Sequence, residues 1–294
     1  MYEEPTLQNR PPRSSVLAHA PEELVNGRLV RVGEGIGKVV YASARWAVKR
    51  ERSPREIVSL IVLWKALRKL ESFVPGELGR RLIARPARQL RFLRLLVHGT
   101  MLLVPRSLWF TSHVREVWRL HQLRNWRGER LAEEALAGTG IVPRRIEFPP
   151  VEVRVAGWPG WMVVSEAVER AETTLYRRLS DLAAASRFAE VELWLDRFLE
   201  FRQSAWQLGA FSVDAHLKNF GVIADRIVLL DTGGLTNHWR EIEDHLEYEE
   251  SVERPHVRLG LGTVLAPRPD IAERFDARWK AVVNRAVVQH HWPE

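Results

Sequence analysis

The chain has 294 residues, with 44 Lys and Arg against 37 Asp and Glu, which gives a formal net charge of +7. A hydrophobic content of 46% and a charged content of 28% are those of a globular protein and exclude a wholly disordered chain. No run of about 18 apolar residues occurs, so no segment is predicted to span a bilayer. The chain has no cysteine, which excludes disulfides and thiolate chemistry and fits the cytoplasm.

The N-terminal residues 1–21 are rich in proline and show no periodicity. This composition predicts a flexible tail. The stretch lacks the apolar core of a secretory signal, so a leader peptide is not expected.

A glycine-rich turn follows the first predicted strand, residues 29–32. The turn contains Gly33, Gly35 and Gly37 and ends at Lys38. Because glycine has no Cβ, backbone N–H groups in such a turn can approach phosphate oxygens. The turn therefore predicts a phosphate-binding loop, and a plain glycine-rich hairpin is the alternative.

The strand resumes at residues 39–41, and a third strand ends at Lys49. A Walker phosphate loop is excluded, because Val32 and Val39 occupy positions where that motif needs glycine and Ser or Thr. A Lys at the end of this third strand can point at the phosphates. An ordinary surface lysine is the alternative.

Residues 54–108 form a basic segment. It contains eleven Lys or Arg and three Asp or Glu, so its charge of 11 − 3 = +8 accounts for the net charge of the chain. Ser53 with Glu56 predicts a helix start with a capping box. The interleaved basic and apolar residues fit a helix on an anionic membrane surface. The alternatives are a helical pair with a solvated basic face, and RNA binding, for which no known module is present.

The rest of the chain alternates between helices and strands. A helix is predicted from Ser112 to Ala137, and it ends at Gly138-Thr139-Gly140. Strands are expected at 145–148, 151–155 and 161–165, and helical segments at 171–208 and 271–289.

Two short motifs follow the long helical segment. Asp214 precedes Asn219 by five residues, and such an Asp can orient the proton of a hydroxyl while the Asn oxygen binds magnesium. Asp231, in Asp231-Thr232-Gly233, ends an apolar strand and suits a metal on a triphosphate. Ordinary Asp-capped turns are the alternative for both motifs. Asp-Thr-Gly is also typical of retroviral-type aspartic proteases, but these need two such carboxylates, so this chain would require a homodimer.

In order and spacing, the glycine turn, Lys49, Asp214-x4-Asn219 and Asp231-Thr232-Gly233 resemble the protein-kinase-like superfamily. Asp214-Ala215-His216 with Asn219 resembles the form found in aminoglycoside phosphotransferase-like kinases. The stretch from Trp126 to Pro143 resembles bacterial lipopolysaccharide core (Kdo/heptose) kinases.

The resemblance implies an α+β, bilobal protein-kinase-like fold with ATP and Mg²⁺ as cofactors. The N-lobe, residues 22–165, would carry an antiparallel β-sheet and the helical basic insertion at 54–108. The C-lobe, residues 166–294, would be small and mainly helical, with the catalytic and metal-binding loops. The strand 161–167 would continue into the hinge that binds adenine.

The resemblance also implies roles for individual residues. Asp214, Lys49 and Glu129 would be catalytic, with Glu129 orienting Lys49 and with Glu133 and Glu56 as rivals for that pairing. Asn219 and Asp231 would bind the metal. The ATP-binding residues would be Gly33, Gly35, Gly37, Lys38, Lys49 and Glu166.

The implied activity is transfer of phosphate to a hydroxyl of a small or lipid-linked sugar, such as a lipopolysaccharide core unit. Two departures, Lys38 at the third glycine position and Ser212 where relatives carry His, favour the alternative of a pseudokinase that binds nucleotide without turnover. The expected partners are this acceptor and an anionic membrane surface, which residues 54–108 would contact; no specific nucleic acid is expected. The expected location is cytoplasmic, with peripheral binding to the inner face of the membrane.

Overall fold

The computed structural model describes residues 15–34, 37–59, 112–157 and 159–292. These residues form a mixed α+β fold with a mainly antiparallel sheet. In this part of the chain, no helix has the length and apolarity to cross a membrane. Gly35 and residues 60–108 of the basic segment lie outside the described residues.

A six-stranded sheet contains the N-terminal strands, in the order β1-β5-β2-β3-β4-β6. β5 also pairs with β6, so five of the strands close on themselves. The strands are β1 (Ser15–Val16), β2 (Arg28–Glu34), β3 (Lys38–Ala42), β4 (Trp46–Glu51), β5 (Arg145–Val155) and β6 (Trp161–Glu169), and the helix α1 (Glu22–Val25) precedes β2. Alternate side chains such as Val39, Tyr41 and Val48 pack inside it as one hydrophobic core.

Two features of this sheet differ from the sequence expectation. Ser15 and Val16, within the predicted tail, form β1 and pair in parallel with Ile146 and Glu147. The strands expected at 145–148 and 151–155 are a single strand, β5, whose register with β6 shifts between Glu147 and Val151. Pro149 and Pro150 lie at that shift, because proline cannot donate a hydrogen bond to the neighbouring strand.

A long helix lies between β4 and β5 in the chain. This helix, α2 (Ser112–Leu131), continues as a π-helical turn, Ala132–Leu136. The helical segment ends one residue before the predicted Ala137, and Gly138 and Gly140 follow with φ of 77° and 84°. Glycine adopts these angles at little cost, so the two glycines allow the sharp exit from the helix.

The C-terminal part is mainly helical and has its own hydrophobic core, which includes the buried rings of Phe198, Trp206 and Trp279. Its helices are α3 (Leu175–Ala184), α4 (Phe188–Gln207), α5 (Trp239–Ser251), α6 (Pro255–Arg258), α7 (Gly262–Leu265), α8 (Pro269–Val282) and α9 (Arg285–Gln289). Its short strands are β7 (Thr173–Thr174), β8 (Phe211–Ser212), β9 (Phe220–Ile223), β10 (Arg226–Leu229) and β11 (Leu235–Thr236), and residues Leu217–Asn219 form a 3-10 turn.

Two predicted helical segments are each divided in the structure. The segment 171–208 begins with β7 and separates into α3 and α4 near Ser186, whose φ is 58°. The segment 271–289 separates into α8 and α9 at Asn284, whose side chain accepts a hydrogen bond from the Val287 N–H. Periodicity alone did not mark these breaks, because apolar spacing continues across them.

Candidate functional site

Lys49 links the closed sheet to the loop that contains Asp231. Its Nζ donates a hydrogen bond to the carbonyl oxygen of Leu230 at 2.9 Å, across 181 residues of chain. The preceding residue, Val48, is buried in the sheet core, so strand alternation turns Lys49 to the opposite side. Lys49 therefore lies next to Asp231, as the sequence analysis expects.

The charge environment of Lys49 is mixed. Burial by surrounding protein atoms lowers the pKa of Lys49, and the nearby Lys38 ammonium lowers it further. Asp231, Glu129 and Glu166 oppose this shift. The Lys49 side chain as a whole remains exposed to solvent, although protein atoms surround its amine.

Glu129 does not contact Lys49 in the way that the sequence analysis expects. Its Oε1 accepts from Nζ of Lys38, and this ion pair joins β3 to α2. The reason is the departure already noted in the glycine turn: a lysine at the third glycine position brings a second amine within reach of the helix. Among the described residues, no acidic side chain forms a direct ion pair with Lys49.

The two rival glutamates are engaged elsewhere. Glu133 binds Arg145. Glu56 accepts two hydrogen bonds from Arg50 and one from the Ser53 N–H at 2.9 Å, while the Glu56 N–H donates to Ser53 Oγ at 3.3 Å. This reciprocal pattern is the predicted capping box, and residues 54–59 are helical.

α2 packs directly on the Asp231 loop through Gly128. A methyl group at Gly128 would lie 2.0 Å from the Thr232 carbonyl oxygen, a distance that no side chain tolerates. A methyl group at Gly233 would meet Asn125 Oδ1 at 2.3 Å. Glycine is therefore required on both surfaces where the helix and the loop meet.

The same helix also touches the glycine turn. A methyl group at Gly37 would lie 2.8 Å from Nε2 of His121, and that nitrogen lies 3.1 Å from the side-chain amide nitrogen of Asn125. His121 and Asn125 are one helical turn apart, so both face the cleft. This pair was not predicted from the sequence, although His121, Asn125 and Gly128 are spaced so that they lie on one face of a helix.

The Asp214 loop and the Asp231 loop are joined by backbone hydrogen bonds. The Asn219 carbonyl oxygen accepts from Leu230 N at 2.8 Å, and Val213 N donates to the Gly234 carbonyl oxygen at 2.9 Å. Beside these bonds, β8 pairs with β11. The two acidic residues are therefore held in one small unit.

Both carboxylates make the turn contacts that were the alternative to a metal role. Asp214 Oδ1 accepts from the His216 N–H at 3.3 Å, and Asp231 Oδ1 accepts from the Gly233 N–H at 3.1 Å. Each contact uses one carboxylate oxygen. Within the described residues, Oδ2 of each acid and Oδ1 of Asn219 have no hydrogen-bond partner.

These oxygens are of the kind that magnesium binds, although the described residues contain no cluster of three or more His, Cys, Asp or Glu side chains. Mg²⁺ takes oxygen ligands, and it usually binds one or two protein groups together with substrate phosphates. Asn219 uses only its amide nitrogen, which donates to the Asp214 carbonyl oxygen at 3.4 Å, and so its Oδ1 remains available. Asn219 Oδ1 and Asp231 Oδ2 are thus the oxygens that these two residues could offer to a metal, and their predicted metal role stays a prediction.

His216, two residues after Asp214, supports the backbone of this loop. Its Nδ1 accepts a hydrogen bond from the Lys218 N–H at 3.2 Å. Burial lowers the pKa of His216, the nearby Lys218 lowers it further, and Asp214 partly opposes the shift. A methyl group at Gly260 would lie 2.8 Å from the His216 ring, so the ring is packed in place.

Glu166 does not mark the hinge in the structure. It lies within β6 opposite Glu147, and its carboxylate binds Arg145. β6 continues to Glu169, and the chain leaves the sheet over residues 170–172 before joining β7. The strand is longer than the predicted 161–165, and the alternation of buried and exposed residues is interrupted at Ser165 and Glu166, which are both exposed.

A cavity of about 570 Å³ lies beside these loops. It is bounded by α2, by β11 and by α5, and it reaches Val213 and Gly234. A methyl group at Gly234 would lie 3.4 Å from Cβ of Asp214, so this cavity approaches the catalytic candidate. The sequence offers no signal for it, because its walls come from three distant segments.

The residues that approach the cleft come from β3, β4, α2 and the two loops after α4. Among the described ATP-binding candidates, Gly37, Lys38 and Lys49 lie near α2 or the Asp231 loop, while Gly33 is the penultimate residue of β2 and pairs with Val40. Comparison with the models of known protein families finds none that matches this chain, and comparison with curated proteins finds none either.

Proposed function

We propose that the chain is an ATP- and magnesium-dependent phosphotransferase with a bilobal protein-kinase-like fold. The observation that carries this proposal is the hydrogen bond of Lys49 Nζ to the Leu230 carbonyl oxygen, immediately before Asp231. It supports an arrangement in which an amine from a sheet strand and an acid from a distant loop flank one cleft.

The fold elements around the cleft support the same assignment. Lys49 lies in the third strand of the β2–β3–β4 meander, and α2 follows this meander in the chain and packs on the Asp231 loop. The sheet and the helical part have separate hydrophobic cores, as two lobes require. A strand lysine, a helix with glutamate and two acidic loops are the recurring parts of protein kinases.

In the proposed reaction, Lys49 binds the α- and β-phosphates, and Asp214 accepts the proton of the attacking hydroxyl. The acceptor oxygen forms a bond to the γ-phosphorus while the bond to the β,γ-bridging oxygen breaks, and ADP leaves. Asn219 and Asp231 would hold magnesium, which neutralises charge on the phosphates when bound. Orientation and charge stabilisation supply most of the acceleration in this chemistry.

The proposed acceptor is a hydroxyl on a small or lipid-linked sugar, such as a lipopolysaccharide core unit. The cavity beside Asp214 supports an acceptor with both apolar and polar parts, because Glu241 and Asp244 line it as well as arginines. Its walls include the exposed side chains of Leu120, Leu123 and Tyr248, and Arg124 has no acidic partner among the described residues. The basic residues 54–108 support peripheral binding to an anionic membrane in the cytoplasm.

A nucleotide-binding regulatory scaffold without turnover is the second candidate. The ion pair of Lys38 with Glu129 favours it, because Lys49 then lacks the acid that orients it for catalysis. Retention of Asp214, Asn219 and Asp231 favours turnover.

The deciding experiment measures magnesium-dependent ATP hydrolysis and autophosphorylation of the wild-type chain and of Asp214→Ala, together with nucleotide binding. Asp181→Ala is the matched control, because Asp181 is an exposed acid of α3 that pairs only with Arg177 in the described structure. We expect turnover to fall about 100-fold or more in Asp214→Ala while nucleotide binding persists. Equal turnover in all three proteins contradicts the enzyme assignment, and nucleotide binding without turnover supports the scaffold.

A further inference from the structure

Arg202 of α4 is a buried arginine directly beneath the Asp214 loop. Only 2% of its surface is exposed. Its Nη1 donates a hydrogen bond to the Ser212 carbonyl oxygen at 2.9 Å. Ser212 is two residues before Asp214, and it occupies the position where kinase relatives carry His. The Arg202 guanidinium therefore supports the Asp214 loop at the position where the loop lacks the histidine side chain.

The surroundings of Arg202 are mainly aromatic. Its guanidinium carbon lies 5.5 Å from the ring centroid of Trp206, 5.1 Å from that of Phe211 and 5.7 Å from that of Trp279. Within the described residues, its Nε and Nη2 have no hydrogen-bond partner. A fixed cation among three rings has one directed polar contact, and that contact is the Ser212 carbonyl oxygen.

The charge on Arg202 is only partly balanced. Burial lowers the pKa of Arg202 to about 10, the carboxylate of Glu249 opposes this, and Arg258 adds to the lowering. Glu249 is itself buried and is bound by Arg258. The guanidinium remains charged at neutral pH, because that pKa lies well above 7. Because burying a charge costs free energy and apolar residues of similar volume often serve a fold as well, the retention of this cation suggests a role beyond packing.

The carbonyl that Arg202 holds belongs to the junction between the two acidic loops. Ser212 pairs with Leu235 across β8 and β11, and its Oγ donates to the Asp214 carbonyl oxygen at 3.3 Å. The next residue, Val213, donates its N–H to the Gly234 carbonyl oxygen. Movement of Ser212 would therefore shift Asp214 directly.

We propose that Arg202 is a positioning residue that fixes the Ser212 carbonyl and so aims Asp214 at the acceptor hydroxyl. This inference rests on the proposed phosphotransferase function for its effect on rate, but the contact itself can be tested without turnover. Among the described residues, Arg202 makes no direct contact with Lys49 or Asp231, so it acts on the site through the Ser212 carbonyl.

The test compares Arg202→Met with Arg197→Met in the full chain. Arg197 lies on the same helix, covers the ring of Trp194 at 5.0 Å and donates to a backbone carbonyl of an exposed turn, so it controls for loss of an arginine from α4. We expect kcat of Arg202→Met to fall about 10- to 100-fold, as for small misplacements of a catalytic group. The KM for ATP is expected to stay within about twofold, because ground-state nucleotide contacts remain. Arg197→Met is expected to retain wild-type kcat.

Hydrogen exchange supplies a readout that needs no activity. We expect the amides of residues 212–214 and 234–235 to exchange faster in Arg202→Met and at wild-type rates in Arg197→Met. Wild-type exchange at these amides together with wild-type kcat overturns the inference. A wild-type protein without turnover overturns the proposed function, while the exchange rates still decide whether Arg202 holds the loop.

Arg202→Lys serves as the conservative variant and as a substitute should the Met variant fail to fold. Lysine keeps the positive charge and a hydrogen-bond donor, but it lacks the planar guanidinium that contacts the three aromatic rings. We expect its kcat and its exchange rates to lie between those of the wild type and Arg202→Met. Wild-type values for both in Arg202→Lys, with an unfolded Met variant, would assign Arg202 to folding and overturn its positioning role.

Discussion

Lys38 and Glu129 form an ion pair that connects the start of β3 to α2. Lys49 lies close enough for the Lys38 ammonium to lower its pKa and for the Glu129 carboxylate to raise it. The Glu129 carboxylate thus acts on two amines. It forms a direct ion pair with Lys38, and it influences Lys49 only through its charge.

Substitution of Lys38 by Ala is expected to raise the pKa of Lys49. The substitution removes a nearby positive charge and frees Glu129 to approach Lys49, and both changes favour the ammonium form. An amine-reactive label modifies only the neutral amine, so labelling of Lys49 at pH 9 should slow down in Lys38→Ala. Lys280→Ala, which changes an exposed lysine of α8, is the control. Unchanged Lys49 labelling would mean that Lys38 does not influence this amine.

Substitution of Asp231 by Asn should weaken nucleotide binding only when magnesium is present. The amide keeps the shape of the carboxylate but loses the charge that binds a divalent cation. We expect a tenfold or greater rise in Kd for ATP with magnesium, about 1.4 kcal/mol or more, and little change without it. Asp181→Asn on α3 provides the control, and circular dichroism checks the fold. Equal affinities for wild type and Asp231→Asn in magnesium would remove Asp231 from the metal site.

Gly128→Ala tests the contact of α2 with the Asp231 loop. The added methyl would lie 2.0 Å from the Thr232 carbonyl oxygen, so the helix or the loop must move. We expect the free energy of unfolding to fall by about 1 to 3 kcal/mol, as for other overpacked sites. Gly262→Ala is the matched control, because its methyl would meet Val257 at an ordinary 3.5 Å. Urea denaturation measures both, and similar stability of the two variants would contradict the close packing.

Glu56→Gln tests the capping box by its dependence on pH. Burial of the Glu56 carboxyl acts to raise its pKa, but hydrogen bonds from Arg50 and the Ser53 N–H outweigh this and lower the pKa to about 2 from 4.5. Because the folded pKa is depressed, the stabilisation is complete above pH of about 5 and is lost as pH falls towards 2. At pH 7 we expect Glu56→Gln to unfold more easily by about 1 to 2 kcal/mol.

The gap between wild type and Glu56→Gln should close as pH falls through that window. Glu200→Gln, at an exposed position of α4, should follow the wild type throughout. Stability curves for wild type and Glu56→Gln that stay parallel from pH 7 to pH 2 would show that the carboxylate charge contributes nothing to the cap.

The basic residues 54–108 predict binding to anionic vesicles. We expect the chain to float with vesicles that contain phosphatidylglycerol at low salt and to be released at high salt, because ions screen contacts between exposed charges. Vesicles of phosphatidylcholine alone should not bind it. Absence of flotation with anionic vesicles at low salt would reject the membrane prediction.

The parts of the site that the sequence predicts are those fixed by local pattern. Strand alternation predicts that Lys49 can point at bound phosphates, which stays a prediction, and the Ser53 and Glu56 capping box is present as expected. The partner of Glu129 was not predictable from local pattern, because the ion pair depends on the distance between β3, which carries Lys38, and α2, which carries Glu129.

The support of the Asp214 loop was equally hidden. Arg202 in a helical pattern resembles a solvated residue, and only packing of α4 against Phe211 and Trp279 encloses it. Likewise, Pro149 and Pro150 suggest a break between two strands, whereas the partner strand β6 tolerates the shift and keeps β5 continuous. Contacts between distant segments decide these features.

The two-residue pairing of β8 with β11 has a consequence for motion in the cleft. Asp214 and Asp231 are tied to opposite sides of that pairing and are joined again through the Asn219 carbonyl. Any displacement of the sheet relative to these loops would therefore leave the two acids together and change the spacing from Lys49 to both of them. Such a displacement would break the hydrogen bond of Lys49 to the Leu230 carbonyl oxygen and keep the two acidic loops joined.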